Sequence, residues 1–265
     1  MARTLLTDDI WQQIQDTMRL HGCYCSKNSR NIMEAILWKL RTGATWRDIP
    51  QELCPWQTAY NRFNRWASKG LWDKFFFRLR GILDQEWVFI DGSYIRVHQH
   101  ASGARHGFER AIGQSRGGRT TKIHLATDAN GLPIDFKITG GDVHDSQVAK
   151  QLIDIVGEAT YLIADKGYDA KHIRICANKN KNKNKNKNKN KNKNKNMIPI
   201  IPLRSNSKRS NKEFDKYLYK LRHLVENAFA RLKHFRAIAT RFDKLARNYK
   251  SMIRIACIFI WCKAK

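Results

Sequence analysis

The chain has 265 residues, 42% of them hydrophobic, enough for one large domain or for one medium and one small domain. Lys and Arg number 50 against 23 Asp and Glu, which gives a formal net charge of +27. Such a basic balance is atypical of enzymes that act on small metabolites. It predicts a polyanionic partner, with nucleic acid as the first interpretation and an anionic membrane surface as the second.

Neither a membrane span nor an export signal is evident. The longest apolar stretch, 255–262, is far shorter than the roughly 20 residues of a spanning helix. The sequence MARTLLTDD lacks the apolar run of a signal peptide. We therefore expect a cytoplasmic, chromosome-associated protein with no membrane partner. The six cysteines form no CxxC pair, which favours free thiols over a zinc half-site at Cys23 and Cys25.

Residues 1–85 are expected to form a small all-helical domain. Thr7 precedes a first helix that runs to about Met18, and Ser29 or Asn31 would cap a second over 32–41 that ends near Gly43. A third helix is predicted over 56–68, directly after Pro55. Three short helices joined by tight turns are typical of a helix-turn-helix domain that binds DNA.

The third helix has a packing face and a basic face. Tyr60, Phe63 and Trp66 recur at helical spacing, whereas Arg62 and Arg65 fall elsewhere on the helix. We expect the two arginines to contact DNA. The alternative is that they only solvate a surface helix.

Beyond Trp87 the pattern becomes that of strands. The runs WVFID, TKIHLATD and LPIDFKIT predict strands, and Asn130-Gly131 between the last two predicts a hairpin. A helix over 146–156, the strand TYLIA, a helix over 170–176, the strand IPIIPL and helices over 215–235 and 246–263 follow. This order predicts an α/β fold of the ribonuclease H-like type, a mixed sheet with flanking helices over 86–265.

A low-complexity loop interrupts this second domain. Residues 179–196 are nine Lys-Asn dipeptides with no apolar side chain, so they are predicted to be a solvated, self-repelling loop. A non-specific phosphate-binding tether is the alternative. Without these nine lysines the formal charge is still +18, so the remaining chain is basic as well.

Two carboxylates follow apolar strands, Asp91 after WVFI and Asp165 after YLIA. If the two strands are neighbours, as the predicted fold requires, both side chains lie at one edge of the sheet. Adjacent carboxylates repel, and a hard divalent cation such as Mg²⁺ relieves that repulsion. The pattern therefore predicts a shared metal site.

The helix predicted over 215–235 carries a third carboxylate among cations. Tyr219, Arg222, Glu226 and Lys233 lie within about 60° of one another at 100° per residue. Phosphodiester chemistry needs carboxylates that hold metal ions and cations that neutralise the flanking phosphates. The alternative is a solvated helix face with ordinary salt bridges.

The spacing Tyr219-x2-Arg222-x3-Glu226-x6-Lys233 resembles the signature of the DDE transposases of insertion sequences. Five further segments resemble the insertion-sequence family numbered five, as do ILWKLRTGATWRDIP and PWQTAYNRFNRW near the start of the chain. The five segments are FIDGSYIRVH, AIGQSRGGRTTKIH, GDVHDS, LIADKGYDA and IPLRSN. The resemblance covers nearly the whole chain, and the Lys-Asn tract departs from it.

The resemblance implies a ribonuclease H-like core in which Asp91, Asp165 and Glu226 are the catalytic residues and bind Mg²⁺ or Mn²⁺. It also implies that the partner is double-stranded DNA, both the inverted-repeat ends of the element and the target. On this DNA the protein would assemble as a homodimer or higher oligomer. Water would first cut a strand to leave a 3′-hydroxyl, which would then attack the target. A DNA-binding remnant without cleavage activity and a ribonuclease H-like nuclease are the competing hypotheses.

Further DNA contacts are expected from the helix with the third carboxylate and from the basic segment around 101–119. His144 and Asp145 would support the metal site indirectly, although Asp145 could instead cap the next helix. The expected DNA-contacting side chains outside the N-terminal domain are Tyr219, Arg222, Lys233, Arg105, Arg110, Arg116 and Arg119.

Overall fold

The structure is a computed structural model that describes residues 4–103, 110–179, 197–205, 207 and 214–264. Its N-terminal helices are α1 (Asp8–Leu20), α2 (Ser29–Thr42), α3 (Trp56–Ser68) and α4 (Leu71–Leu79). The first three confirm the predicted helices. The fourth, directly after Gly70, was not predicted.

Local capping explains where the first helices begin and end. The side chain of Thr7 accepts the backbone N–H of Ile10 at 3.3 Å, as predicted. Helix α2 ends at Gly43, whose φ of 69° lies in the left-handed region that glycine adopts without strain. At its start, however, the capping position belongs to Asn28 and not to Ser29 or Asn31.

Strands and helices then alternate along the chain. The strands are β1 (Trp87–Val97), β2 (Gly113–Ser115), β3 (Gly118–Thr127), β4 (Pro133–Gly140), β5 (Tyr161–Ala164), β6 (Ile198–Ile200) and β7 (Thr240–Arg241). The helices between and after them are α5 (Asp145–Val156), α6 (Lys171–Lys179), α7 (Lys216–Lys220), α8 (His223–His234), α9 (Arg236–Ala239) and α10 (Ala246–Ala264).

The strands form one mixed sheet. Its order is β2-β3-β1-β5-β6, with β4 also paired to β3 and β7 to β1. Strand β1 runs antiparallel to β3 and parallel to β5. The predicted hairpin joins β3 and β4, with Gly131 at a φ of 70°. The predicted α/β architecture, a mixed sheet with flanking helices, is confirmed.

Helices cover both faces of the sheet because successive strand residues point to opposite sides. Phe89 and Ile95 of β1 join one buried cluster with the N-terminal helices, α8 and α10. Val88 and Ile90 join a second cluster with α5 and α6. The N-terminal helices therefore share a core with the sheet, and the division into 1–85 and 86–265 stays a prediction.

The helix predicted over 215–235 is interrupted. It is divided into α7 and α8, and between them the backbone N–H groups of Leu221, Arg222, Leu224 and Val225 each bond a carbonyl three residues back. Such bonds tighten the turn relative to an α-helix. The angle between the side chains of Tyr219 and Glu226 around the helix axis therefore differs from the value given by the 100° per residue of the sequence analysis.

The Lys-Asn tract, predicted to be an unstructured loop over 179–196, lies outside the described residues except for Lys179, the last residue of α6. Within the described part of the chain, no helix is long and apolar enough to cross a membrane.

Candidate active site

Two of the three expected catalytic carboxylates lie on neighbouring segments, Asp91 in β1 and Asp165 directly after β5. The last pair between β1 and β5 is Ile90 with Ala164, so Asp91 and Asp165 are the next residues of each segment. Neighbouring strands are about 4.8 Å apart, and residues at equivalent positions of parallel strands point to the same face. Strand β1 continues to Val97, so Asp91 lies within its strand and not at the predicted strand end.

The sheet is open beside Asp91. Along the same edge of β1, the pairs with β5 end at Ile90 and the pairs with β7 begin at Arg96. The edge between these two contacts carries Asp91 and Ser93. Helix α8 packs over this part of β1, and its side chains reach the opening.

Arg222 joins the third carboxylate to the first. Its guanidinium donates to Asp91 Oδ2 at 2.9 Å and also forms an ion pair with Glu226. The structure therefore brings Asp91, Arg222 and Glu226 into one cluster, although Asp91 and Arg222 are 131 positions apart. The tight turn between α7 and α8 places Arg222 at the start of α8, one helical turn before Glu226.

The environment of Asp91 opposes its ionisation. Burial is the largest cause that raises the pKa of Asp91 to about 6, and the charges of Asp165 and Asp145 add to the rise. The backbone N–H of Gly92 and the charge of Arg222 act in the opposite direction. A carboxyl group with so high a pKa, close to two other carboxylates, marks a candidate functional site.

Tyr219 and Lys233 complete the predicted signature around the cluster. Lys233 Nζ donates to Ser93 Oγ at 2.7 Å, two residues beyond Asp91 on the same face of β1. Burial raises the pKa of Tyr219, and the nearby charge of Asp165 raises it further. Tyr219 therefore lies close to Asp165, and Lys233 lies two residues along β1 from Asp91.

The donor chemistry of the site fits a hard divalent cation. Asp91 and Asp165 offer neighbouring carboxylate oxygens, the ligands that Mg²⁺ and Mn²⁺ prefer, and Glu226 is linked to them through Arg222. Among the described residues, no group of three or more His, Cys, Asp or Glu side chains is already arranged around a common metal position. A triad site therefore requires Arg222 to release at least one carboxylate.

Residues on the opposite face of β1 were largely missed. Lys122 and His124 of β3 are both buried and both contact the Asp145 carboxylate. Asp145 does not cap α5, because His144 holds the capping position and accepts the backbone N–H of Ser146. The sequence signal was present: Lys122 and His124 are two residues apart, on one side of a strand whose next residues include Ile123, Leu125 and Ala126.

The expected DNA-contacting arginines of α3 have different surroundings. Arg65 is exposed. Arg62 lies over the Trp66 ring at 5.3 Å and donates to the Tyr24 carbonyl at 3.3 Å. Burial lowers the pKa of Arg62, and the charge of Arg65 lowers it further. Arg65 is thus the more available of the two for a phosphate.

The basic segment before β3 forms a cleft. Arg110 and Arg119 line a cavity of about 360 Å³ together with Gly113 and Gln114. Arg119 and Arg116 are exposed on the β2–β3 hairpin. Arg105 lies outside the described residues. DNA contact by these arginines stays a prediction.

Two family models match the chain. One, described as "Transposase DDE domain", matches residues 83–261. The other, described as "Putative transposase of IS4/5 family", matches residues 6–76. The first covers the whole sheet and α8, and the second covers most of the N-terminal helices.

Relatives agree with these families. A protein of Brucella ovis named "Putative transposase for insertion sequence element IS6501" is 34% identical over 146 residues, which cover 54% of this chain and 99% of that protein. The uncharacterized protein y4sN of Sinorhizobium fredii is 33% identical over 129 residues, covering 47% of this chain and 95% of that protein.

Among solved structures, the Mos1 transposase paired-end complex with the left transposon end is similar at 11% identity, covering 89% of this chain and 90% of that one. A pre-cleavage Mos1 transpososome is similar at 12% identity, covering 91% and 80% of the two chains. The TM-scores are 0.27 and 0.28, too low for any conclusion about this chain.

Proposed function

Because the chain belongs to the family of DDE-domain transposases of insertion sequences, we propose that it binds the terminal inverted repeats of its element and catalyses metal-dependent strand cleavage and strand transfer. It would act in the cytoplasm on chromosomal DNA, as a homodimer or higher oligomer.

One observation carries the catalytic part of this proposal. Asp91 and Asp165 are adjacent at the opening of the sheet, and Arg222 ties Glu226 to Asp91. Two acidic residues from distant parts of the chain thus lie on neighbouring segments where the sheet edge is free, and an arginine links a third to them. A salt-bridged surface helix, the simpler interpretation of residues 219–233, would not require Asp91 and Asp165 on a neighbouring strand edge.

Asp91, Asp165 and Glu226 would hold Mg²⁺ or Mn²⁺. Bound there, the metal ions would activate the attacking oxygen and stabilise the leaving one during an in-line displacement at phosphorus. Arg222 and Lys233 provide positive charge beside that place, which would stabilise the negative charge of the phosphates flanking the cut. Tyr219 would hydrogen-bond the DNA backbone next to Asp165.

The reaction would then proceed in two displacements. In the first, water attacks the phosphodiester at the element's end and leaves a 3′-hydroxyl. In the second, this hydroxyl attacks a phosphate of the target strand and displaces a target 3′-hydroxyl. The protein contributes orientation of the two DNA strands and fixed charge, and no covalent bond to the protein is needed.

The test is an assay of cleavage and strand transfer on a labelled duplex that carries the element's end, with a supercoiled target and with Mg²⁺ or Mn²⁺. The unmodified chain is compared with Glu226→Gln and with the matched control Glu158→Gln, an exposed glutamate between α5 and β5. We expect metal-dependent transfer by the unmodified chain and by Glu158→Gln, and a loss of at least about 100-fold in Glu226→Gln.

Three other results would contradict the proposal in different ways. Tight end binding without cutting by any variant would indicate a DNA-binding remnant. Cutting without joined products would indicate a ribonuclease H-like nuclease. Equal activity of Glu226→Gln and Glu158→Gln would remove Glu226 from the catalytic residues.

A further inference from the structure

A network of polar side chains lies behind the candidate active site, on the other face of β1. Lys122 Nζ lies 2.7 Å from Asp145 Oδ2, and His124 Nδ1 lies 3.2 Å from Asp145 Oδ1. The side chains of Lys122 and His124 are 4% and 0% exposed, and that of Asp145 is 21% exposed. On its far side His124 Nε2 forms a hydrogen bond with Thr139 Oγ1 at 2.8 Å, so the ring lies between Thr139 and Asp145.

The Asp145 carboxylate of this network packs against the backbone of β1 at Gly92. A Cβ atom at Gly92 would lie 2.2 Å from Asp145 Oδ1 and 3.2 Å from Asp145 Cγ. The Asp145 carboxylate therefore occupies the space that any other side chain at position 92 would fill. Gly92 is the residue after Asp91, and its missing side chain permits the close approach.

The same carboxylate lies close to the segment that carries Asp165. A Cβ at Gly167 would lie 4.0 Å from Asp145 Oδ2, and Gly167 is two residues after Asp165. Asp145 thus lies against the β1 segment that carries Asp91 and close to the segment that carries Asp165, on the face opposite to Arg222 and α8. Its charge also acts on both Asp91 and the buried Tyr168.

We propose that Asp145 is a positioning residue for metal binding: bound by Lys122 and packed against Gly92, close to Gly167 and His124, its carboxylate fixes the backbone beneath Asp91, supports the neighbouring segment of Asp165 and adds negative charge behind them. This inference rests on the proposed function for the identity of the metal ligands. Asp145 does not touch DNA or metal. It acts through the position of two backbone segments and through the electrostatic field at their carboxylates.

A structural explanation competes with this one. Lys122 is buried, and a buried cation that loses its counterion destabilises a protein strongly. Asp145→Asn alone would therefore lower stability whether or not it positions the ligands. The double variant Lys122→Met/Asp145→Asn removes both charges together and avoids the unpaired lysine.

The experiment measures Mn²⁺ affinity by electron paramagnetic resonance on the full chain, without DNA, well below the lowest melting temperature of the set. We expect Mn²⁺ binding to be about 10- to 100-fold weaker in Asp145→Asn and equally weak in the double variant. Asp154→Asn, an exposed position on the same helix, is the matched control and should bind like the unmodified chain. Unmodified affinity in either Asp145 variant would overturn the inference.

A further variant separates this inference from the proposed function. Asp165→Asn should lose Mn²⁺ binding if the acidic residues hold the metal. If Asp165→Asn binds weakly and Asp145→Asn binds normally, only the positioning role fails. If the unmodified chain and Asp165→Asn bind Mn²⁺ equally well, or neither binds it, the metal site of the proposed function fails and the positioning role with it.

Discussion

At the scale of single residues, the surroundings of Asp91 disfavour the charged form that metal binding would require. Burial and the neighbouring charges of Asp165 and Asp145 disfavour its ionised form, yet that ionised form is what a metal ion would need. Arg222 relieves part of this conflict through the ion pair at 2.9 Å. Such opposition between stability and chemistry is common where ionisable groups are gathered for function.

The first prediction concerns the pH dependence of stability. The pKa of Asp91 is about 6 in the folded protein, against about 3.9 in an unfolded chain. Between these values the folded state binds more protons, so the free energy of unfolding should fall as pH rises from about 4 to about 6. Asp91→Asn removes this effect, and we expect it to stabilise the metal-free protein by about 1 kcal/mol at pH 7.

This prediction is tested by urea unfolding of both proteins in a chelating buffer across that pH range. The pKa of about 6 already includes the attraction of Arg222, so removing the charged carboxylate together with its ion pair is still expected to be a net gain. A difference between the two proteins that does not change with pH would contradict the assigned pKa.

At the scale of elements, α10 connects the N-terminal helices to the sheet. Its Arg254 is 3% exposed and lies 2.6 Å both from Asp73 of α4 and from Asp135 of β4. The guanidinium also lies 4.7 Å from the Phe76 ring centroid and 4.4 Å from that of Phe136. One buried cation therefore links three elements that are far apart in the chain.

We expect Arg254→Ala to destabilise the protein by about 3–5 kcal/mol, because it leaves two carboxylates without their buried partner. Lys250→Ala is the matched control: Lys250 also pairs with Asp73, at 3.2 Å, but its side chain is 41% exposed, so its loss should cost less than about 1 kcal/mol. Chemical denaturation of both variants measures the difference. Similar small losses in the two would mean that α10 is held by apolar packing alone.

At the scale of the whole molecule, the charge of +27 is divided between the Lys-Asn tract and the rest of the chain. Nine lysines lie within 179–196, and the remaining +18 is still strongly basic. Because DNA binding releases counterions in proportion to the phosphates that a protein neutralises, the two contributions can be separated by varying salt.

Deletion of 179–196 should leave the preference for the element's end intact while lowering affinity for unrelated DNA. If the tract neutralises phosphates, the slope of log affinity against log salt should become less steep in proportion to the number of phosphates that the tract neutralises. Fluorescence anisotropy with end-containing and scrambled duplexes at several salt concentrations measures both quantities. An unchanged slope would show that the tract does not contact DNA.

The short-range features of this protein were determined by its sequence alone. Helix limits follow from Thr7 and Gly43, the β3–β4 hairpin from Asn130-Gly131, and the order of elements from the change of hydrophobic period. The spacing from Tyr219 to Lys233 also predicted a set of signature residues, and two of them, Arg222 and Lys233, contact β1 in the structure. All of these depend on backbone preferences or on residues within a few turns of each other.

Only the tertiary structure decided the contacts between distant segments. The contact of Arg222 with Asp91, the interruption between α7 and α8, and the packing of Asp145 against Gly92 join residues from separate elements. The periodicity of residues 215–235 predicted an unbroken helix. Periodicity carries no information about contacts with distant segments, such as the bond from Arg222 to Asp91 of β1. Sheet order and side-chain burial decide which charges meet, and both are properties of the packed chain.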